Sequence, residues 1–312
     1  MNTENVDKNG ALEPSSEGFE QQLEEVKNVA PEVEIAEPQK EKDLEPSKKV
    51  RKFPSWVDLF ATVGVFVLSV LVGSLLSALL MASSGKEALT PDITFIYYLI
   101  QMLPTVAFVL WLRHRAGCDS GLHLGLRSLN MPMILWGVVL IVVSGIVVEP
   151  LLMLFPTEAY DGVQQAIGLG GWAILSSVVA APILEEILFR GLIFESCRER
   201  FGSGLALLLS ALLFGAIHII PVQMINAFVV GLILGYVYLR TRSLLAVIIL
   251  HAFNNGIAYV TMAFFGDSAN VTLRELIAND LLYWGVYALS AVLFLWAMVR
   301  LWVSLRDNAE LE

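Results

Sequence analysis

Charged side chains interrupt a long apolar stretch in the second half of the chain. The stretch reads APILEEILFRGLIF and holds Glu185, Glu186 and Arg190. Glu186 and Arg190 are four residues apart, so on a helix they share one face in the order that favours an ion pair. Glu185 points about 100° away around the same helix, where this arginine cannot easily neutralise it. Because a charge inside a membrane helix costs ~2.5–3.5 kcal/mol, Glu185 needs another reason to be there.

Two of the chain's four histidines lie in the apolar stretches that follow. His218 comes four residues after Phe214, and His251 comes four residues before Asn255. Each of these pairs therefore shares one helix face. A single histidine in a membrane helix often does no more than form a hydrogen bond between helices. Two histidines, an amide and an unpaired glutamate are harder to explain in that way, and together they indicate a functional site.

The residue types are those needed to hydrolyse a peptide bond without a covalent intermediate. A carboxylate and an imidazole can hold a water molecule and remove its proton. A second imidazole and an amide can donate hydrogen bonds to the oxyanion that forms when the water attacks.

The elements that must position these residues are membrane helices. The 312-residue chain is 56% apolar and only 16% charged, which departs from soluble globular composition in both respects. Backbone polar groups find no water in lipid, so we predict an all-α, polytopic protein. Eight stretches are long enough to span a bilayer, and the candidate residues lie on the fourth, fifth and seventh: 56–82, 93–112, 131–155, 171–197, 203–220, 222–239, 244–264 and 280–303.

Depth along these helices gives the four candidate residues a common layer. At 1.5 Å per residue, Glu185, His218 and Asn255 lie about 20 Å from the ends of their helices on the basic side. His251 lies about one turn nearer that side. The sequence therefore predicts that the four side chains meet in one layer of the membrane.

Lysine and arginine predict the orientation, because they accumulate in cytosolic loops. With eight spans, every arginine-rich loop falls on one side, whereas the acidic loop around Glu158 and Asp161 falls on the other. We therefore expect a multi-pass protein of the cell membrane with both termini in the cytosol. The bases on the predicted cytosolic side are Lys48, Lys49, Arg51, Lys52, Arg113, Arg115, Arg127, Arg198, Arg200, Arg240, Arg242 and Arg306.

Charge divides the chain into a tail and a membrane body. The net charge is −10, and residues 1–47 hold 13 acidic and 4 basic residues. We predict that 1–52 is a disordered cytosolic tail ending in a basic juxtamembrane cluster. Residues 53–306 would form the transmembrane domain, and 307–312 a short cytosolic C-terminus. The sequence shows no basic face of the kind that binds nucleic acid. Cys118 and Cys197 are expected to be reduced thiols.

The polar residues resemble three motifs of the CAAX protease and bacteriocin-processing family, also known as the CPBP or Abi family. The type II CAAX prenyl endopeptidases belong to this family. The resemblance covers about residues 171–264, the expected protease-like core. The motifs occur in the family's order as EExxxR (Glu185, Glu186 and Arg190), FxxxH (Phe214 and His218) and HxxxN (His251 and Asn255).

The resemblance implies an intramembrane endopeptidase that depends on a glutamate and needs no cofactor. In the family, the residues corresponding to Glu185 and His218 activate water. Those corresponding to His251 and Asn255 form the oxyanion hole. Glu186, Arg190 and Phe214 would support the site. The implied partners are the lipid bilayer and a membrane-embedded or membrane-associated peptide or protein substrate.

Other functions remain open at this stage. Glu185, His218 and His251 have the ligand types of a catalytic zinc site, although the HExxH motif of common zinc proteases is absent. A non-enzymatic protein, acting in bacteriocin immunity or as a scaffold, would also be a membrane protein. Buried glutamate and histidine also occur in the proton relays of transporters, although no internal repeat of the transporter kind is visible.

Overall fold

The computed structural model describes residues 53–85, 89–119, 122–126, 129, 131–156, 158–266 and 272–309. Most of these residues are helical, and no strand occurs among them. The acidic tail predicted for 1–52 lies outside the described residues. The C-terminal segment predicted for 307–312 begins inside the last helix, which continues to Ala309.

Ten helices occur in the described ranges, and they account for all eight predicted spans. We number them α1–α10 in chain order. They are α1 (Trp56–Ser84), α2 (Pro91–Ala116), α3 (Met131–Leu152), α4 (Glu158–Ile167), α5 (Gly171–Phe201), α6 (Ser203–Ala216), α7 (Pro221–Thr241), α8 (Leu244–Phe265), α9 (Leu273–Ile277) and α10 (Asp280–Ala309).

Seven helices in the described part of the chain are long and apolar enough to cross a membrane, namely α1, α2, α3, α5, α7, α8 and α10. The fifth predicted span, 203–220, corresponds to α6, which has 14 residues. A helix of that length extends about 21 Å, which is less than the ~30 Å of a hydrocarbon core. The fold is therefore that of a polytopic, all-helical membrane protein with one shortened helix.

The helix of span five ends earlier than the sequence predicts. Pro221 begins α7, and a residue before proline avoids the helical conformation. Ile220 is accordingly extended, with φ of −77° and ψ of 125°. Ile219 has φ of 62°, which a β-branched residue rarely adopts. The helix therefore ends at Ala216, and His218 lies in the turn between α6 and α7.

Two short helices occupy connections between the spans. Helix α4 has 10 residues and separates apolar from polar residues around its axis. The sequence pattern predicts an acidic loop there, because α4 is too short and too polar to register as a span. The Thr94 hydroxyl of α2 donates to the Ala166 carbonyl at 2.9 Å, which ties α4 to α2.

Helix α5 is unusual because much of it is wound as a π-helix. In π-helical register an N–H bonds the carbonyl five residues earlier, as Ala181 does with Ser176. Such stretches are rare and often mark functional sites. The π-helical stretches are Ile174–Ala180 and Ile187–Phe194, which flank the α-helical turn Ala181–Glu186.

Glycines let α6 and α7 pack with their backbones in contact. A Cβ atom added to Gly215 of α6 would lie 2.8 Å from the Met224 carbonyl oxygen of α7. A Cβ atom added to Gly231 of α7 would lie 3.1 Å from the Phe214 ring. The paired helices contact the second π-helical stretch of α5. This packing brings the turn that carries His218 close to the middle of α5.

Candidate active site

Glu186 and Arg190 of α5 form a fully buried ion pair. Arg190 Nη1 donates to Glu186 Oε1 at 2.8 Å, and neither side chain is exposed. Arg190 Nη2 donates to the Gly231 carbonyl at 3.0 Å. The guanidinium also lies over the Phe214 ring, 4.6 Å from its centroid. Arg190 therefore joins α5 to both α6 and α7.

His251 is held by the same ion pair. Its Nδ1 lies 2.7 Å from Glu186 Oε1. Because Glu186 is paired with Arg190 it is a carboxylate and can only accept, so His251 Nδ1–H donates. The other ring nitrogen, Nε2, lies 3.7 Å from Glu185 Oε2, which is too long for a hydrogen bond. Nε2 is therefore left free to act on a bound molecule.

Glu185 has a different set of neighbours from Glu186. Its side chain is 8% exposed, and the described ion pair of Arg190 is with Glu186 alone. The hydroxyl of Tyr98 on α2 donates to Glu185 Oε1 at 3.2 Å. Glu185 Oε2 faces His251. The two adjacent glutamates of α5 therefore differ: Glu186 is locked in an ion pair, whereas Glu185 retains an oxygen that can act on a bound molecule.

His218 is oriented by the C-terminal end of α6, which precedes it in the chain. Its Nδ1 lies 2.9 Å from the Phe214 carbonyl oxygen. A carbonyl only accepts, so Nδ1 carries the proton and a neutral ring has its lone pair on Nε2. The Phe214 ring stands edge-on to both imidazoles, with centroid distances of 5.3 Å to His218 and 5.5 Å to His251. Phe214 thus contacts both histidines of the site.

Asn255 connects α8 to the first π-helical stretch of α5. Its Nδ2 donates to the Ser177 carbonyl at 2.8 Å, and its Oδ1 accepts from Asn254 Nδ2 at 3.1 Å. An amide nitrogen has two hydrogens. One of them is used in the bond to Ser177, so the second can donate to a ligand.

One cavity of about 390 Å³ brings the four candidate residues together. Glu185, His218, His251 and Asn255 all line it, although they come from three separate segments of the chain. Glu185 is the only acidic residue of its lining, and no lysine or arginine of the described residues lines it. Carboxamides and hydroxyls supply most of the remaining polar groups: Thr94, Tyr97, Tyr98, Gln101, Gln164, Ser176, Ser177, Gln223, Asn226, Asn254 and Tyr259.

Helix α2 contributes residues that the sequence analysis did not single out. Tyr98 and Gln101 are three residues apart, share one face of α2 and line the cavity. Polar residues at helical spacing within an apolar span were the available signal. Tyrosine is common near membrane interfaces, so this spacing alone does not indicate a site.

The alternative zinc ligands do not form a metal cluster. Among the described residues, no group of three or more His, Cys, Asp or Glu side chains is placed to hold a metal ion. The hydrogen bonds at Nδ1 of His251 and His218 leave Nε2 of each ring able to coordinate a metal. The metal-free mechanism therefore stays a prediction.

Comparison with known proteins places the candidate residues in a recognised segment. Residues 168–257 match a family model described as type II CAAX prenyl endopeptidase Rce1-like. Over 99 residues the chain is 32% identical to a Bacillus subtilis (strain 168) protein named "Putative membrane peptidase YdiL". That alignment covers 32% of this chain and 39% of the relative, so well under half of either protein is aligned. No solved structure matches the chain.

Proposed function

We propose that this chain, which belongs to the CAAX protease and bacteriocin-processing family through its central segment, is an intramembrane endopeptidase. The observation that carries the proposal is the cavity shared by Glu185, His218, His251 and Asn255. All four residues also fall within the matched segment 168–257.

Glu185 and His218 would bind and activate the attacking water. A water molecule has two hydrogens, and this pair offers two acceptors, a Glu185 carboxylate oxygen and the His218 Nε2 lone pair. Water held by both would direct its oxygen lone pair at a substrate carbonyl. Glu185 would take the proton and later deliver it to the leaving amine, as a general base and then a general acid.

Asn255 and His251 would stabilise the oxyanion. The second amide hydrogen of Asn255 can donate to it directly. His251 uses Nδ1–H in its bond to Glu186, so Nε2 can donate only when the ring carries both protons. The proposal therefore requires His251 as an imidazolium, with Glu186 as its counter-ion. The ion pair of Glu186 with Arg190 would hold this arrangement in place.

The cavity lining supports a peptide as the substrate. Carboxamide side chains both donate and accept hydrogen bonds, as the peptide N–H and C=O groups do. Apolar residues such as Met102, Val230 and Met262 share the lining, so uncharged side chains would fit beside the peptide backbone. We propose an uncharged segment of a membrane-embedded or membrane-associated protein as the substrate class.

A trapping experiment tests the proposed function. Purified wild-type protein and Glu185→Gln would be reconstituted in liposomes and incubated with solubilised membrane proteins of the host cell. We expect wild-type protein to generate new peptide termini, which mass spectrometry would identify. Glu185→Gln should retain the same substrates uncleaved. Equal cleavage by both proteins would overturn the proposal, as would an absence of cleavage by wild-type protein together with equal retention by both.

A further inference from the structure

Tyr98 bonds the carboxylate of the candidate general base from outside the matched segment. It lies on α2, more than 60 residues before the segment 168–257. Its hydroxyl donates to Glu185 Oε1 at 3.2 Å and lies 3.5 Å from the Ala181 carbonyl oxygen. A hydroxyl has one hydrogen. The shorter distance and the negative charge of the carboxylate favour Glu185 as its acceptor.

We propose that Tyr98 is a positioning residue, which holds Glu185 Oε1 so that Glu185 Oε2 is the atom that takes the proton from water. This inference deepens the proposed function and rests on it. The two oxygens of the carboxylate would thereby have separate roles. Oε1 anchors the side chain, and Oε2, which lies 3.7 Å from His251 Nε2, acts on the water.

The surroundings of Glu185 leave the anchoring role to Tyr98. Arg190 directs its guanidinium to Glu186 and to the Gly231 carbonyl. His251 is beyond hydrogen-bond distance from Glu185. In the described part of the chain, the hydrogen bond that reaches the Glu185 carboxylate comes from Tyr98. Without that bond, the carboxylate could rotate about its terminal torsion, which is broad for glutamate.

Contacts one turn before and one turn after Tyr98 fix the position of α2, so Tyr98 can hold Glu185 in place. One turn earlier, Thr94 donates to the Ala166 carbonyl of α4. One turn later, Met102 is completely buried in the core. A side chain held by packing on a rigid helix can orient its partner more precisely than one on a loop.

The test is the kinetic effect of Tyr98→Phe, which removes only the hydroxyl. A hydrogen bond to a charged group contributes about 1.5–3 kcal/mol, so we expect kcat to fall roughly 10- to 100-fold. KM should stay within twofold, because the ring still lines the cavity. The matched control is Tyr236→Phe. Tyr236 lies on α7 and packs against the core without lining the cavity, so loss of its hydroxyl should leave kcat unchanged.

Three outcomes would overturn the inference. A kcat within twofold of wild type in Tyr98→Phe would exclude a positioning role. A raised KM with unchanged kcat would make Tyr98 a part of the cavity wall only. A loss of kcat in Tyr236→Phe equal to that in Tyr98→Phe would show a general effect of removing a tyrosine hydroxyl from the helices. Glu185→Gln distinguishes failure of the proposed function from failure of this inference. Full activity of Glu185→Gln would contradict the proposed function. An inactive Glu185→Gln together with a fully active Tyr98→Phe would contradict only the role of Tyr98.

Discussion

Two groups of charged residues surround buried glutamates of α5, and they are arranged differently. The central cluster consists of Glu185, Glu186, Arg190 and the His251 that contacts them. The end cluster lies at the C-terminal end of α5 and consists of Glu195, Ser196, Arg198, Arg113 and Arg242. Glu195 is as deeply buried as the central glutamates. Burial of an acid on this helix therefore does not by itself identify a catalytic residue.

Each charged residue of the end cluster has an ionic partner. Glu195 pairs with Arg198 at 3.2 Å and with Arg242 at 2.5 Å. Arg113 of α2 donates to the Ser196 hydroxyl at 2.6 Å and bonds Asp119 at 2.9 Å. None of these residues lines the cavity. The end cluster thus joins α5 to the neighbouring helices α2 and α7, as a structural network would.

The central cluster has one locked acid and one acid that faces the cavity. Glu186 binds Arg190 and His251 and does not line the cavity, whereas the adjacent Glu185 does. The difference between the clusters is therefore access to a bound molecule. A single step of one residue along α5 separates a structural acid from a candidate base.

Polar residues that line the cavity should differ from those outside it in their effect on the cleavage rate. The largest loss is expected for His218→Ala. Loss of a group that activates water commonly reduces the rate ~100- to 10,000-fold. Thermal unfolding in detergent should change little, because His218 lies half-buried in a turn. The matched control is His123→Ala, because His123 is exposed in a loop and does not line the cavity. Normal cleavage by His218→Ala would exclude it from water activation.

A somewhat smaller effect is expected for Asn255→Ala. Loss of one oxyanion donor commonly costs ~100- to 1000-fold in rate, so trace cleavage should survive at saturating substrate. Asn279→Ala serves as the control and should keep its kcat. Asn279 does not line the cavity, and it caps the start of α10 by accepting from Leu282 N–H. If Asn255→Ala lowers stability and leaves kcat unchanged, its bond to Ser177 is purely structural.

Removal of Arg190 tests the locked half of the central cluster. Arg190→Ala leaves the fully buried Glu186 with His251 as its remaining partner. Removal of one member of a buried ion pair typically costs ~3–5 kcal/mol of stability. Chemical unfolding in detergent should show this loss, together with a reduced yield of folded protein. A fully stable but inactive Arg190→Ala would assign the arginine to catalysis instead.

The end cluster supplies the comparison for Arg190. Arg198 is 34% exposed, and Glu195 retains Arg242 when Arg198 is removed. Arg198→Ala should therefore cost at most about 1 kcal/mol, with unchanged cleavage per folded molecule. A loss as large as that of Arg190→Ala would contradict the distinction between the clusters.

The orientation of the clusters in the membrane is a prediction from the loop charges. We expect both termini in the cytosol and the segment 158–170 outside. Single cysteines placed in 1–47 or in 158–170 would be labelled on intact cells with an impermeant maleimide. Burial raises the pKa of the native Cys118 thiol, so its thiolate fraction at pH 7 is small and its background reaction is slow. External labelling of the 1–47 segment would overturn the predicted orientation.

The membrane helices were largely predictable because long apolar runs determine them. The ends of the helices were less so. His218 was expected inside a helix ending at 220, yet Pro221 ends α6 early and leaves His218 in a turn. Helix α4 was expected as a loop, because a 10-residue amphipathic helix depends on packing against α2 rather than on a long apolar run.

The composition of the site was predictable in part. Spacing alone indicated the ion pair of Glu186 with Arg190 and the shared layer of the polar residues. The contact of His251 with Glu186 and the hydrogen bond from Tyr98 to Glu185 depend on how α8 and α2 pack against α5. The π-helical register of α5 was also invisible, since side-chain periodicity does not specify which carbonyl each N–H bonds.

The most direct test of the central claim is the cleavage rate of Glu185→Gln beside that of Glu195→Gln. Glutamine keeps the shape of glutamate but cannot accept the proton from water. We expect Glu185→Gln to be folded and to lose cleavage at least ~100-fold. Glu195→Gln should keep its cleavage per folded molecule, and wild-type activity should survive strong chelation. Full activity of Glu185→Gln would contradict the account, and loss of wild-type activity on chelation would replace the glutamate mechanism with a metal-dependent one.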